Sequence, residues 1–324
     1  MSSRSATRLI EDCRGDFESI AAMMEASWAA SETPPFLYTP SYLASCFEYP
    51  GASFSLAPTI YDGATPVAFV AGFPRRIRLS GRDHTILLIS LLTAAAEHRN
   101  KGYGIVIWSE LVKRARAAGF DGMVNYCVEG EAMNRMIVGS CRRLRLAVER
   151  IYSVGYLSRL LQPSSSAHSE VSRPVPVDAF MEAAAPIAET ASLARLWTRE
   201  EANWQCTRAG AVVTRHQADG LDGVLSGYVM QIANAQRTKC LVVDDLLWGG
   251  LGEEEQHALV SRFVAQGAAA GARIAVVPRQ SYADTGAFTA AGFRPSGRIV
   301  HMYLTVWSDG VLPESVPSCY LDVF

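Results

Sequence analysis

Arg99-Asn100-Lys101-Gly102-Tyr103-Gly104 is the stretch that decides how this chain is read. It lies between an apolar run, residues 86–96, and an amphipathic segment, residues 105–118. The order is strand, glycine-bearing turn, helix. Such a turn points several backbone N–H groups at one spot, at the positive end of a helix dipole. An anionic group, most simply a pyrophosphate, fits there. Gly102 and Gly104 let the backbone come close and take positive φ, while Arg99 and Lys101 add charge. The spacing is not the G-x-G-x-x-G of a dinucleotide fold, nor the G-x-x-x-x-G-K-[ST] of a P-loop. As a bare pattern it could also be a basic turn before an ordinary helix.

Working outward, the segments before the turn read as a strand near 7–12, a helix over 16–30 and a short helix near 41–47. Strands follow over 55–62, 67–79 and 84–95, with hairpin turns at Gly63 and at Ser80-Gly81. After the turn come a helix over 105–118, a strand over 122–128, a helix over 132–144 and a strand region over 147–161. Antiparallel strands thus give way to a strand-helix-strand-helix-strand order. With the R-x-x-G-x-G turn at its centre, this order resembles the GNAT superfamily of N-acyltransferases and its coenzyme-A loop.

Residues 162–176, QPSSSAHSEVSRPVP, are rich in Ser and Pro and read as a linker. After them the plan repeats. A helix is expected over 186–203, strands over 211–216, 224–233 and 239–248, and a helix over 253–270. A strand over 273–277, a helix over 282–291 and a strand over 298–307 complete it. The ends match locally: Tyr156-Leu157 lies ten residues after Leu146, and Tyr303-Leu304 ten after Phe293. An internal duplication is the reading. The expected class is α/β (α+β): two tandem GNAT-like domains, 1–162 and 177–324 around a linker 163–176, each a mixed, mostly antiparallel sheet flanked by helices.

Length and composition agree. The 324 residues suit two domains, and 49% hydrophobic content can build sizeable cores. A net charge of -2 argues against a dedicated nucleic-acid binder. Seven scattered cysteines without a C-x-x-C pair give neither a disulfide framework nor a metal site and suit a reducing cytoplasm. The N-terminus shows no signal peptide, and the longest apolar run, eleven residues, is too short for a membrane helix. A cytoplasmic protein is expected, with no membrane or nucleic-acid partner.

The resemblance implies a mechanism. The strand before the loop splays from the next one, and a phosphopantetheine arm lies in the gap. Backbone groups near Leu92, Thr93 and Ala94 pair with the pantetheine amides, and Arg99, Asn100, Lys101, Gly102, Tyr103 and Gly104 hold the pyrophosphate. An amine attacks the thioester, a base takes its proton and an acid protonates the thiolate. The family's usual base positions fall at Leu88 and Ser90, neither an acid nor a histidine. That leaves a water relay through Ser90 or Thr93, a carboxylate from elsewhere such as Glu32 or Glu129, or an acceptor that arrives deprotonated. His98 reads as solvated surface.

The family's Asn-then-Tyr pattern matches at Asn134. Cys141 then stands where the tyrosine proton donor would be; a buried packing role is the competing reading. Asn125 and Cys127 share one strand face and Tyr126 takes the other; either face can line the cleft. Trp28, Tyr38 and Tyr42 cover the acceptor or belong to the core.

The second repeat departs where it matters. Its turn, Gly249 to Gly252, leads into Glu253-Glu254-Glu255, which would repel a diphosphate. Phe288 replaces the family's tyrosine.

Basic residues crowd at Arg142, Arg143, Arg145 and Arg150, and at Arg75, Arg76 and Arg78. They meet a coenzyme-A phosphate, dock an acyl carrier protein at Arg142, Arg143 and Arg145, or simply face solvent. The expectation is an acyltransferase moving an acyl group from acetyl-CoA, another acyl-CoA or a carrier-bound phosphopantetheine to an amine of a small molecule, as in specialised-metabolite biosynthesis. The alternative is a non-catalytic acyl-CoA sensor or partner-docking protein.

Overall fold

A computed structural model describes residues 9–29, 36–162, 175–233, 237–307 and 312–322. Glu32 and most of the Ser/Pro-rich linker lie outside the described residues. The first half runs β1 (Ile10–Asp12), α1 (Phe17–Trp28), β2 (Phe36–Leu37), α2 (Pro40–Phe47), β3 (Pro58–Asp62), β4 (Thr65–Leu79), β5 (Arg82–Ala94), α3 (Tyr103–Ala117), β6 (Gly122–Val128), α4 (Ala132–Arg143) and β7 (Glu149–Leu160). The second runs α5 (Val177–Thr190), β8 (Leu193–Arg195), α6 (Arg199–Thr207), β9 (Ala211–Ala218), β10 (Leu221–Ile232), β11 (Lys239–Leu247), α7 (Glu253–Ala269), β12 (Ile274–Pro278), α8 (Gly286–Ala290), β13 (Arg294–Val306) and β14 (Cys319–Tyr320).

Two expected helices change. The one over 186–203 is two helices with β8 between them. Pro186 sits inside α5 and does not start it, and a capping box, Thr198 with Glu201, starts α6 afresh. The helix over 282–291 shrinks to Gly286–Ala290, because Tyr282 is drawn away to accept a hydrogen bond from the Leu246 amide at 2.9 Å.

The larger difference is in the sheet. Two separate sheets were expected; one continuous sheet forms, with the path β1-β3-β4-β5-β6-β13-β7-β12-β11-β10-β2. The halves exchange their last strands. β13, from the second half, pairs with β6 of the first, and β7, from the first, pairs with β12 of the second. The two exchanged strands also pair with each other.

The two exchanged strands run antiparallel from Ile299–Gly155 to Met302–Tyr152, so a local twofold passes between β7 and β13.

The cores follow the exchange. Leu157 and Leu161 of the first half pack with Leu241 and Phe263 of the second. Tyr303 of the second packs with Trp108, Cys127 and Cys141 of the first. A buried leucine contributes about 1.5–3 kcal/mol, so each half relies on apolar side chains lent by the other. α3 covers one face of β4 and β5, through Trp108 and Leu111. α1 and α2 cover the opposite face, through Ile20, Met24 and Leu43.

Candidate active site

β5 and β6 pair in parallel from Ile86–Gly122 only as far as Ile89–Asn125. Beyond that point the register pairs end. The cause is a bulge: β5 shifts against β4 between Ala71–Ser90 and Phe69–Thr93, with Leu91 held at φ +62. A left-handed leucine costs on the order of 1 kcal/mol, and such strain gathers at functional sites. Directly opposed residues share a sheet face. Ser90 and Thr93 therefore face α1 and α2, as Ala71 and Phe69 do. The Thr93 hydroxyl is buried without a hydrogen-bond partner. The Ala94 carbonyl accepts from Ser27 Oγ at 2.9 Å, which ties α1 to the strand. Leu92 packs on the α3 side.

β5 leads through a single turn, Ala96–His98, into the basic loop. Asn100 has φ +61 and Gly102 φ +81, and Gly102 is the N-cap of α3 with no side chain to cap the helix. Alternating hands make a concave run of amides, and the first helical turn leaves its amides without intrahelical acceptors. Gly102 is needed for its φ and not for space, since a Cβ there meets nothing within 4 Å. Arg99, Asn100, Lys101 and Gly102 are exposed, with Tyr103 and Gly104 half-buried behind them. His98, expected in solvent, is buried at 9% exposure. Its ring lies 5.5 Å from that of Tyr103 and its Nδ1 3.3 Å from Lys101 Nζ, so it wedges beneath the loop.

The expected proton donor does not reach this place. Cys141 is fully enclosed, with Sγ 3.8 Å from Thr305 Oγ1, and burial pushes its thiol up to about 11. Thr305 pairs with Met123, and Met123 with Leu87. That is three residues, about 10 Å, down the strand from Ser90. Asn134 holds the end of β6: its Nδ2 donates to the Val128 carbonyl at 2.7 Å, and its Oδ1 accepts from Tyr303 at 3.1 Å. Asn125 faces α3, where its Oδ1 accepts from Trp108 Nε1 at 3.0 Å, and its Nδ2 has no partner. Glu129 is exposed and lies 3.5 Å from His301.

Arg142, Arg143 and Arg145 are exposed at the far end of α4. The helix runs away from the β6 end, so they lie about 17 Å from its start at ~1.5 Å per residue. Their charge complements the helix C-terminus. Arg75, grouped with them in the sequence as a phosphate contact, is 5% exposed and bound to Asp322.

On the α1/α2 face, beside Ser90 and Leu91, the structure has a narrow cavity of about 20 Å³. Tyr42 and Cys46 of α2 form one wall, and Trp204, Gln205 and Arg208 another. Tyr42 closes an aromatic ladder, Trp28–Tyr38–Tyr42–Tyr228, with centroids 5.4, 5.5 and 5.7 Å apart. Two charge networks meet at this cavity. In one, Asp322 takes Arg75 at 2.6 Å and Arg195 at 3.1 Å. Burial alone would raise its carboxyl; the two guanidiniums outweigh that and hold it at about 2.

In the other network, Gln205 Nε2 and Arg208 Nη2 donate to Asp244 Oδ2 at 2.6 and 2.9 Å. Asp244 Oδ1 is buried and has no partner. The adjacent Asp245 accepts from Gln205, Ser226 and Tyr320. Burial, and then neighbouring Asp244, push Asp245 up to about 6. The sequence reading passed over both aspartates. Two carboxylates inside the apolar run LVVDDLL were the available signal, because a strand buries charge only at a cost.

Asp244 occupies a meaningful place. β10 and β11 pair at Ser226–Asp245 and next at Gly227–Val243, so Asp244 is the unpaired residue of a bulge. β11 is the second half's counterpart of β5, and Asp244 stands where Leu91 stands in the first. The duplicated bulges meet at one cavity.

The second half's own turn is closed. A Cβ on Gly249 would lie 1.6 Å from the Asp222 carbonyl, so this glycine serves packing. Glu253, Glu254 and Glu255 fill the first turn of α7. The Leu246 amide, just past the bulge, already donates to Tyr282. Among the described residues no group of three or more His, Cys, Asp or Glu side chains could hold a metal, and no helix is long and apolar enough to cross a membrane.

These features define a fold class: two GNAT-like halves in tandem, sharing one sheet. Solved structures of the same fold are N-myristoyltransferases. One from Saccharomyces cerevisiae, with bound myristoyl-CoA and inhibitors, superposes with a TM-score of 0.72 at 13% identity, covering 94% of this chain and 82% of that one. Another from the same organism, with bound myristoyl-CoA, gives 0.72 at 14% identity, covering 94% and 85%. At this identity the likeness is one of fold. No family model and no curated protein matches the sequence.

Proposed function

We propose that this protein is an N-acyltransferase that uses an acyl-CoA and acylates the amine of a small molecule. The observation that carries the reading is the splay of β5 from β6 at Leu91, which leads straight into the concave amides of Asn100 to Gly104. Such a channel suits a pantetheine arm ending in a pyrophosphate. Leu92, Thr93 and Ala94 line it with backbone groups, and Arg99 and Lys101 add charge at its mouth.

The division of labour follows the chain: residues 1–162 hold the donor, and 177–324 supply walls of the acceptor cavity. The amine attacks the thioester carbonyl beside Leu91. Its proton leaves through water held by the Ser90 hydroxyl, which lines the cavity, or by that of Thr93 on the same sheet face. In place of Cys141, the group set to protonate the thiolate is Tyr126. Its hydroxyl is buried without a partner on the face opposite Asn125 and Cys127, and burial keeps it protonated, well above its ordinary value. General acid–base steps of this kind contribute about 10²–10⁴-fold. Free coenzyme A is preferred to a carrier protein as donor, because the arginine cluster lies at the far end of α4 from the channel.

A second reading, a non-catalytic acyl-CoA sensor, is favoured by one observation: neither Leu88 nor Ser90 is a base. Incubation with acyl-CoAs and a panel of primary amines, followed by mass spectrometry, separates the two. Acylated amine supports the enzyme; tight coenzyme-A binding without any product supports the sensor.

A further inference from the structure

We infer that His98 is a positioning residue for the donor: its Nδ1 holds the Lys101 ammonium at the N-terminal end of α3, ready for the diphosphate of coenzyme A. The inference rests on the proposed acyl-CoA site and deepens it, by naming the residue that fixes the charge of the loop.

What Lys101 offers an anion is its ammonium, because its backbone amide already donates to the His98 carbonyl at 3.4 Å. An ammonium donates and never accepts. The 3.3 Å contact between Lys101 Nζ and His98 Nδ1 therefore makes Nδ1 the acceptor. The imidazole is then neutral with its proton on Nε2, the side where Glu97 Oε1 stands 3.9 Å away. The ring is itself held. Its side chain is 11% exposed, although Arg99 to Gly102 beside it are exposed. The His98 amide donates to the Ala95 carbonyl at 2.8 Å, and the Tyr103 ring packs with its centroid 5.5 Å away. A fixed acceptor fixes the lysine. A lysine left free gives up rotamer freedom when a ligand binds. One held beforehand has already given it up, and that preorganisation appears as affinity.

The place of the ammonium decides what it is for. Tyr103 is the first residue of α3, and His98 packs on its ring. Lys101 Nζ is thus held near the positive end of the helix dipole, where a cation is repelled. An anion entering the loop is attracted by both. One N–H of the ammonium is used on His98, which leaves the other two for phosphate oxygens. Ring packing alone explains the burial of residue 98 but not the choice of histidine, since phenylalanine would fill the same space.

The test is calorimetry with coenzyme A on the full chain, in a double-mutant cycle. His98→Phe keeps a ring against Tyr103 and removes the acceptor. Lys101→Met keeps the stem and removes the charge. Each should weaken coenzyme A by roughly fivefold or more, and the double change should bind no more weakly than Lys101→Met alone. His98→Asn sets an amide oxygen near the place of Nδ1 and removes the ring. It should bind coenzyme A more tightly than His98→Phe, whereas a packing role gives the reverse order. A further readout needs no variant to fold: the imidazole nitrogen NMR shifts of wild type should show the proton on Nε2. Additive losses in the cycle, an undiminished affinity in His98→Phe, binding by His98→Asn no tighter than by His98→Phe, or a proton on Nδ1 would overturn the inference. Failure of wild type to bind coenzyme A would defeat the proposed donor site and the inference with it; wild-type binding with additive losses would defeat the inference alone.

Discussion

Placing two carboxylates in the basic loop should destroy donor binding and leave the fold intact. Gly102→Asp and Gly104→Asp together put negative charge at the amides facing the proposed pyrophosphate. At roughly 5 Å and an effective dielectric of about 20, one pair of unit charges repels by about 3 kcal/mol. Two carboxylates facing a diphosphate give several such pairs. Exposure of the loop and salt screening remove a large part. A net loss of about 3 kcal/mol remains, which is more than a hundredfold in Kd. The fold should tolerate both changes. Aspartate at φ +81 costs about 1 kcal/mol, and no atom lies within 4 Å of the new Cβ. At residue 104 the nearest atom is Met136 Sδ at 3.8 Å, and aspartate in a first helical turn gains about as much from propensity and dipole. Calorimetry with coenzyme A reads the affinity, and thermal melting reads the fold. A Kd within threefold of wild type, with an unchanged melt, would refute the donor assignment.

Cys141→Ala should keep turnover within a few-fold of wild type and lower stability by about 1–2 kcal/mol for the lost buried sulfur, read by urea denaturation. A loss beyond about a hundredfold with donor affinity intact would return the thiol to the reaction. Reversing Arg142, Arg143 and Arg145 to Glu should leave acyl-CoA turnover unchanged at low salt; a selective loss with a carrier-bound donor would place carrier docking there. Asp245, lifted to about 6 by burial and by Asp244, binds its proton more tightly folded than unfolded. Its contribution to stability is therefore full below about pH 4 and is lost as pH rises through 6. Asp245→Asn should flatten that fall in denaturation curves taken between pH 4 and 7, and an unchanged slope would assign it to other groups.

What was legible in the sequence was local. The loop, the order of elements and the carboxylates closing the second turn are set by residues close together in the chain, where periodicity and turn chemistry act. The exchange of β7 and β13 was not legible. Both strands are apolar and compatible with either neighbour, and only the assembled sheet decides that Tyr303 lies beside Asn125 and not beside Val276. The same limit hid the cavity beside Leu91. Arg75, Arg208, Asp244 and Asp322 are far apart in sequence and are joined only by the fold. His98 was misjudged because a loop histidine reads as solvated until Tyr103 and Lys101 are seen to close over it.

The central claim is that one cavity, bordered by the Leu91 bulge, joins an acyl thioester to an amine. The most direct measurement is product mass, from wild-type protein incubated with acyl-CoAs of graded chain length and a panel of primary amines. An N-acylated amine formed with stoichiometric free coenzyme A, and lost with the Gly102→Asp, Gly104→Asp double change, is the expected result. Coenzyme-A binding with no acylated product from any pairing would contradict it.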